Sequence, residues 1–156
     1  MKAIVPGSYD PVTVGHLDII RRAAEKYDEV YAVAFVNPNK KYTFDTDERV
    51  SMLRLACDGL RNVTVGYSDG LVIDYMREQG IGVIVKGYRN EKDLAWEKEQ
   101  AEWNLTHGGY DTVLLECRDG LEDVSSTAVR ERIAEGNIPR DILHPAVAEY
   151  IEKRNK

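Results

Sequence analysis

One segment near the start of the chain reads Gly7-Ser8-Tyr9-Asp10-Pro11-Val12-Thr13-Val14-Gly15-His16, and it joins an apolar run to an amphipathic pattern. The apolar run before it, Ala3-Ile4-Val5, is typical of a buried parallel strand. After it, apolar residues recur at helical spacing, at Leu17, Ile20, Ala24 and Tyr27. The segment therefore predicts a strand, a short loop and a helix that begins near Gly15.

His16 falls in the first turn of this predicted helix, just beyond the carboxyl end of the predicted strand. Open α/β sheets bind ligands at that edge, and the unpaired N–H groups of a helix N-terminus favour an anion. A histidine there can donate a hydrogen bond to a phosphate oxygen. An isolated histidine is more often hydrogen-bonded within a crowded loop, but the pattern that surrounds His16 favours the phosphate.

The rest of the chain alternates between strand-like and helix-like patterns. Buried strands are predicted at Ile4–Val5, Val30–Val36, Val63–Val65, Ile81–Val85 and Val113–Leu115. Helices are predicted from Leu17 to Tyr27, Val50 to Leu60, Leu71 to Met76, about Glu91 to His107, Thr127 to Ala134, and Ala146 to Lys153. Asp45 and Glu48 form a plausible capping pair for the second helix, and Gly108-Gly109 ends the fourth. The alternation predicts one α/β domain over residues 1–156, with a parallel sheet and helices on both faces.

Composition narrows the class of protein. The 156 residues are 43% hydrophobic and 31% charged, which suits one soluble domain with a proper core. A formal net charge of −6 argues against a broad nucleic-acid surface. We expect no signal peptide and no membrane span, and we expect Cys57 and Cys117 to be reduced structural thiols of a cytoplasmic protein.

The few cations of this acidic chain follow the predicted strands. Ser8 and His16 come after the first strand, and Lys40 comes after the second. Lys86 and Arg89 follow the fourth strand, and the loop after the fifth leads through Ser125-Ser126-Thr127 to Arg130. Because the carboxyl ends of parallel strands share one edge, we expect these groups to surround one anion-binding crevice.

Each of these groups also has a structural interpretation. Lys40 and Lys41 could be a solvated pair in a polar loop. Lys86 and Arg89 flank a glycine after a buried strand, where a cation needs an anionic partner or water. The hydroxyls of Ser125-Ser126-Thr127 could cap a helix, which is compatible with cradling a pyrophosphate.

The motifs resemble the signatures of the adenylyl- and cytidylyltransferase superfamily. Gly7-Ser8-Tyr9-Asp10-Pro11 is similar to its Gly-x-Phe-Asp-Pro loop, and Thr13-Val14-Gly15-His16 to its Thr- or His-x-Gly-His motif. The Thr-x-Gly-His form is typical of the bacterial phosphopantetheine adenylyltransferase family. Ser8 and Tyr9 stand where that family more often has Thr and Phe.

Later segments extend the resemblance along the chain. Ser125-Ser126-Thr127-Ala128-Val129-Arg130 resembles the superfamily's Ser-Ser-Thr-x-x-Arg, and Lys86-Gly87-Tyr88-Arg89 resembles the family's Arg/Lys-Gly-Leu-Arg. Further segments look like those of the family and occur in the same order: Pro38–Lys41, Asp69–Asp74 and Asp93–Glu97. The chain departs from the family at Tyr88, which replaces Leu, and at the acidic Leu121-Glu122-Asp123.

The resemblance implies a Rossmann-like, or flavodoxin-like, five-stranded sheet and the transfer of AMP from ATP to 4′-phosphopantetheine. The products would be dephospho-coenzyme A and pyrophosphate, in the penultimate step of coenzyme A synthesis. The acceptor phosphate is already an anion, so the reaction needs positioning and charge stabilisation rather than a general base. The cations in the sequence fit that requirement.

The resemblance also implies site residues. Those expected to be catalytic are His16, Lys40 and Arg89. Those expected to bind ATP are Ser8, Tyr9, His16, Gly87, Tyr88, Arg89, Glu97, Leu121, Glu122, Asp123, Val124, Ser125, Ser126 and Thr127. Those expected to bind phosphopantetheine are Ser8, Lys40, Val72 and Lys86. We expect Mg²⁺ to arrive with ATP without a dedicated protein site, a homohexamer, and coenzyme A as a possible feedback ligand.

Two other functions stay open at this point. A related transferase could use nicotinate mononucleotide or glycerol 3-phosphate as the acceptor. A non-catalytic nucleotide sensor could share the sheet and phosphate loop without needing His16, Lys40 and Arg130 together. We expect structural roles for His107 and His144, and packing or subunit contacts for Trp96 and Trp103.

Overall fold

The computed structural model describes residues 1–155, so Lys156, the last residue of the predicted domain, lies outside the described residues. Five strands alternate with helices along the chain. The strands are β1 (Lys2–Gly7), β2 (Glu29–Phe35), β3 (Val63–Ser68), β4 (Val83–Tyr88) and β5 (Asp111–Glu116). The helices are α1 (Val14–Lys26), α2 (Thr46–Cys57), α3 (Val72–Gln79), α4 (Glu91–Gly108), α5 (Ser126–Ala134) and α6 (Pro145–Arg154), with a 3₁₀ turn at Arg140–Ile142.

All five strands form one parallel sheet in the order β3-β2-β1-β4-β5. This is the Rossmann order 3-2-1-4-5 and not the 2-1-3-4-5 order of flavodoxin, because β4, not β3, pairs with the second side of β1, and β3 lies at the edge beside β2. β2 pairs with one side of β1, and β4 pairs with the other side. The crevice between the carboxyl ends of β1 and β4 is thus the switch point where such sheets bind ligands. The predicted Rossmann-like fold is confirmed.

Helices cover both faces of the sheet unequally. On one face, α1, α2, α5 and α6 enclose the larger core, represented by Leu17, Leu53, Val129 and Ile151. On the other face a smaller cluster forms around Met76 of α3. Helix α4 also packs on β4 and β5, but Glu97 is the one buried residue among its 18.

The helix boundaries follow the predicted signals. Asp45 caps α2, and its carboxylate and that of Glu48 each accept the backbone N–H of the other residue. Gly109 follows α4 with a φ of 75°, the left-handed conformation that glycine adopts without strain. His107 stacks on Trp103 with 4.1 Å between ring centroids, and His144 caps α6. Among residues 1–155, no helix has the length and apolar character to cross a membrane.

Candidate active site

A crevice of about 360 Å³ lies at the carboxyl edge of the sheet, between β1 and β4. It brings together the groups that follow four of the strands. Its lining includes Ser8, Tyr9, His16, Lys40, Lys86, Gly87, Tyr88, Arg89, Leu121, Val124, Ser125, Ser126, Thr127 and Arg130. The predicted convergence of four cations on one edge of an acidic protein is therefore confirmed.

The imidazole of His16 is fixed by the residue that caps its helix. Thr13 accepts the backbone N–H of His16 on its hydroxyl and donates its own backbone N–H to His16 Nδ1 at 3.0 Å. Because Nδ1 accepts this bond, the neutral ring carries its proton on Nε2. His16 thus offers the crevice a neutral N–H donor.

The surroundings keep this ring neutral. Desolvation in the crevice, together with the nearby cations Lys86 and Arg89, lowers the pKa of His16 to about 4. A neutral imidazole cannot attract a phosphate through charge, but it can donate one directed hydrogen bond. His16 is thereby suited to a specific phosphate oxygen rather than to general anion attraction.

We predict that the His16 resonance in an NMR titration moves with a midpoint near pH 4. Histidine Cε1–H signals would be followed, and His16 identified by the signal missing from His16→Ala. Nitrogen shifts at pH 7 should show the Nε2–H tautomer. A midpoint near the ordinary value of about 6.5, or an Nδ1–H tautomer, would contradict the geometry.

The lowered pKa of His16 also makes the stability of the folded protein depend on pH. Between pH 6.5 and about 4 the unfolded chain takes up a proton at His16 that the native protein resists. His16 therefore makes the folded state lose stability as the pH falls through that window.

Tyr9 supports His16 from behind. Its side chain is buried, its hydroxyl donates to the Val5 carbonyl at 2.7 Å, and its ring lies edge-on to the imidazole with centroids 5.1 Å apart. The hydroxyl that distinguishes Tyr9 from the family's usual Phe therefore has an internal partner. Its φ of 50° is uncommon for a non-glycine residue, which marks the loop as tightly specified.

Lys40 reaches the crevice from the loop after β2. Its Nζ lies 3.5 Å from Ser8 Oγ, so a cation and a hydroxyl from two different loops face the same space. Lys41, the next residue, does not line the crevice. The solvated-pair interpretation thus fits Lys41 but not Lys40.

Lys86 marks the boundary between the crevice and a second cavity of about 270 Å³. Pro6, Gly7, Ser8 and Lys86 line both cavities, so the two spaces adjoin. The Lys86 Nζ lies 3.2 Å from Glu97 Oε2, and Glu97 is buried. The second cavity is otherwise lined by Phe35, Val72, Ile84, Trp96, Gln100, Ala101, Asn104 and Thr112.

Arg89 is the other cation after β4. Its guanidinium pairs with Asp93 at 2.9 Å, one turn into α4, which leaves its remaining donors for the crevice. Between the two cations, a Cβ at Gly87 would lie 2.7 Å from Ile19 Cγ1. A glycine is required here because α1 approaches β4 this closely, and that approach places His16 beside Lys86 and Arg89.

The segment before α5 uses its hydroxyls internally. Ser125 caps the Ala128 N–H, Ser126 donates to the Pro11 carbonyl at 2.8 Å, and Thr127 accepts from Arg130 at 3.0 Å. The helix-capping interpretation is thus confirmed for Ser125. The partial positive charge of the α5 N-terminus still adds to the anion-binding character of the crevice.

Three residues that the resemblance assigns to ATP lie outside the crevice lining. Glu97 lines the second cavity, while Glu122 and Asp123 are exposed. Their contact with ATP stays a prediction. Leu121 and Val124, from the same acidic segment, do line the crevice.

Two structural residues escaped the sequence analysis. Asp10 is buried, and its carboxylate accepts the backbone N–H groups of Thr43 and Phe44, both at 2.9 Å. Arg130 donates to the Asp10 carbonyl at 2.9 Å. Arg49 on α2 is a fully buried cation. The sequence pattern did not predict this, because the buried positions around it on the helix are apolar.

The chain matches the family model described as cytidylyltransferase-like over residues 4–132. It is also similar to proteins named phosphopantetheine adenylyltransferase. The one from Symbiobacterium thermophilum is 40% identical over 99% of this chain and 96% of its own length. Those from Corynebacterium diphtheriae (42% identical, 99% and 98%) and Thermobifida fusca (40% identical, 98% and 91%) match over similar spans. The chain therefore belongs to the cytidylyltransferase-like family and, within it, to the phosphopantetheine adenylyltransferases.

Proposed function

We propose that this protein transfers AMP from ATP to 4′-phosphopantetheine, giving dephospho-coenzyme A and pyrophosphate. The observation that carries the proposal is the crevice in which His16 Nε2–H meets Lys40, Lys86, Arg89 and Arg130. Two phosphate-bearing substrates need such a set of donors at one place. Similarity to the three adenylyltransferases over nearly the whole chain supports the choice of reaction.

In this proposal the residues act by positioning and by charge. An oxygen of the acceptor phosphate bonds to the α-phosphorus of ATP while the α–β P–O bond breaks and pyrophosphate leaves with the bridging oxygen. His16 donates to an α-phosphate oxygen, where negative charge crowds in the transition state. Lys40 and Ser8 hold the attacking phosphate, and Arg89 with the α5 N-terminus at Ser125–Thr127 receives the departing pyrophosphate.

The second cavity favours a long acceptor over a short one. Because it adjoins the crevice at Ser8 and Lys86, a phosphate held there could extend a chain into it. The cavity offers apolar surface at Val72 together with the amides of Gln100 and Asn104. That mixture suits the two amide groups and the methylenes of a pantetheine arm, whereas glycerol 3-phosphate would leave the cavity unused.

Mg²⁺ is proposed to bind through the ATP phosphates. Among residues 1–155, no group of three or more carboxylate, imidazole or thiolate side chains is arranged to hold a metal ion. The lysine and arginine side chains that line the crevice suit phosphate oxygens rather than a metal cation bound directly by the protein. Bound in this way, Mg²⁺ would supply charge neutralisation for the phosphates.

A homo-oligomer, by resemblance a hexamer, is proposed from the face that α4 presents. Trp96 and Trp103 lie seven residues apart, on the same side of α4, and are 60% and 42% exposed, which is unusual for large apolar side chains. Light scattering of the purified protein measures the mass directly.

We further propose a cytoplasmic location, where ATP is available, and coenzyme A as a competing ligand because it carries the same pantetheine arm.

The proposed reaction is tested by pyrophosphate release from ATP and Mg²⁺. We expect rapid release with 4′-phosphopantetheine, none with nicotinate mononucleotide or glycerol 3-phosphate, and loss of release when EDTA removes the metal. Release with another acceptor would keep the transfer chemistry and overturn the substrate. ATP binding without release from any acceptor would favour the nucleotide sensor.

A further inference from the structure

Arg49 is among the largest fully buried side chains of residues 1–155, with 1% of its surface exposed. Among residues 1–155 no carboxylate lies within salt-bridge distance of it, and its Nε is buried without a hydrogen-bond partner. A buried cation without a counter-ion is costly, so natural proteins rarely keep one without a use. The other contacts of Arg49 indicate what that use is.

Arg49 contacts both loops that present the acceptor-phosphate groups. Its Nη1 donates to the Ser8 carbonyl at 2.9 Å, which holds the loop after β1. Its guanidinium carbon lies 3.9 Å from the ring centroid of Tyr42, which holds the loop after β2. Its Nη2 donates to the Thr46 hydroxyl at 3.3 Å, so the group is anchored to its own helix.

Tyr42 links Arg49 to the turn that carries Lys40. The Tyr42 hydroxyl accepts the Asn37 backbone N–H at 2.8 Å, and the Lys40 N–H donates to the Asn37 carbonyl at 3.0 Å, closing the turn that carries Lys40. The Lys40 Nζ lies 5.5 Å from the Tyr42 ring centroid. The ring is thus within cation–π distance of both Lys40 and Arg49.

We propose that Arg49 and Tyr42 are positioning residues for the acceptor phosphate, holding Ser8 and Lys40 in register with each other. The inference rests on the proposed role of Lys40 and Ser8 as the site of that phosphate. Neither Arg49 nor Tyr42 lines the crevice, so both act through the residues they hold.

The test separates the two substrates. Tyr42→Leu removes the ring and hydroxyl, and we expect it to raise the KM for 4′-phosphopantetheine about fivefold to tenfold while the KM for ATP stays within twofold. Tyr42→Phe keeps the ring over Arg49 but loses the hydroxyl that accepts the Asn37 N–H, so we expect its acceptor KM to lie between those of the parent and Tyr42→Leu. Arg49→Lys keeps the charge but loses the planar stack and the paired donors, so its acceptor KM should rise by a similar factor.

Arg154→Met is the matched control. Arg154 also places a guanidinium over an aromatic ring of this segment, 4.8 Å from the Phe44 centroid, but it contacts neither Ser8 nor Lys40. Both KM values should stay within twofold in this variant. If Arg49→Lys fails to fold, the Tyr42 variants still decide the question, because Tyr42 is only partly buried.

A double-mutant cycle identifies the route of action. In a Lys40→Ala background, Tyr42→Leu should change the acceptor KM by less than twofold, because the residue it positions is gone. The inference is overturned if Tyr42→Leu leaves the acceptor KM unchanged, raises both KM values equally, or keeps its full effect without Lys40. If Lys40→Ala alone leaves the acceptor KM unchanged, the proposed phosphate site fails and the inference falls with it.

Discussion

His16→Ala should turn over about 100-fold or more slowly than the parent protein at saturating substrates, the usual cost of losing one transition-state donor. Thr13 fixes the His16 ring through Nδ1, and only Nε2–H remains for the α-phosphate. Because this bond strengthens as charge crowds on the α-phosphate, kcat and kcat/KM should fall together while KM changes little. Steady-state pyrophosphate release measures both.

Two controls separate catalysis from folding. His16→Ala removes one half of the α1 capping box but leaves the Thr13 hydroxyl to cap the helix, so thermal unfolding should remain cooperative. His144→Asn keeps a capping side chain at α6, outside the crevice lining, and should keep full turnover. Turnover within threefold of the parent in His16→Ala would remove His16 from the catalytic role.

Much of the fold could be predicted because local signals agree with the global arrangement. The five apolar runs became the five strands, and the predicted caps at Asp45 and Gly109 lie where helices begin and end. The order of the strands could not be read from the sequence, because alternation fixes direction and handedness but not which strand is a neighbour. The pairing of β4 with β1 and of β3 with β2, rather than of β3 with β1, is a long-range property of side-chain packing across the sheet.

The candidate site, like the fold, could be predicted only in part from the sequence. Groups that follow strand ends, such as Lys40 and Arg89, were predictable since parallel strands share an edge. The contacts that hold them were not. Arg49 lies at a helical position where an apolar residue would be expected, and its partners Ser8 and Tyr42 lie on separate loops. Only the folded chain brings a buried cation, a carbonyl and an aromatic ring together.

Lys40→Ala should raise the KM for 4′-phosphopantetheine by about 10-fold to 100-fold and leave the KM for ATP within twofold. A hydrogen bond to a charged group contributes about 1.5–3 kcal/mol, which corresponds to that range. Lys40 reaches the crevice beside Ser8 from the loop after β2, whereas Arg89 follows β4, on the other side of β1. The loss should therefore fall on the acceptor and not on ATP.

Lys41→Ala is the matched control for Lys40→Ala, because it removes the same charge from the next residue, which does not line the crevice. It should leave both KM values within twofold, and Lys40→Arg should retain part of the acceptor affinity because it keeps the cation. Lys40 is exposed, so added salt should raise the parent's acceptor KM more than that of Lys40→Ala. Equal losses for ATP and acceptor in Lys40→Ala would place Lys40 at the nucleotide instead, and the acceptor phosphate would then have to lie nearer Lys86, at the mouth of the second cavity.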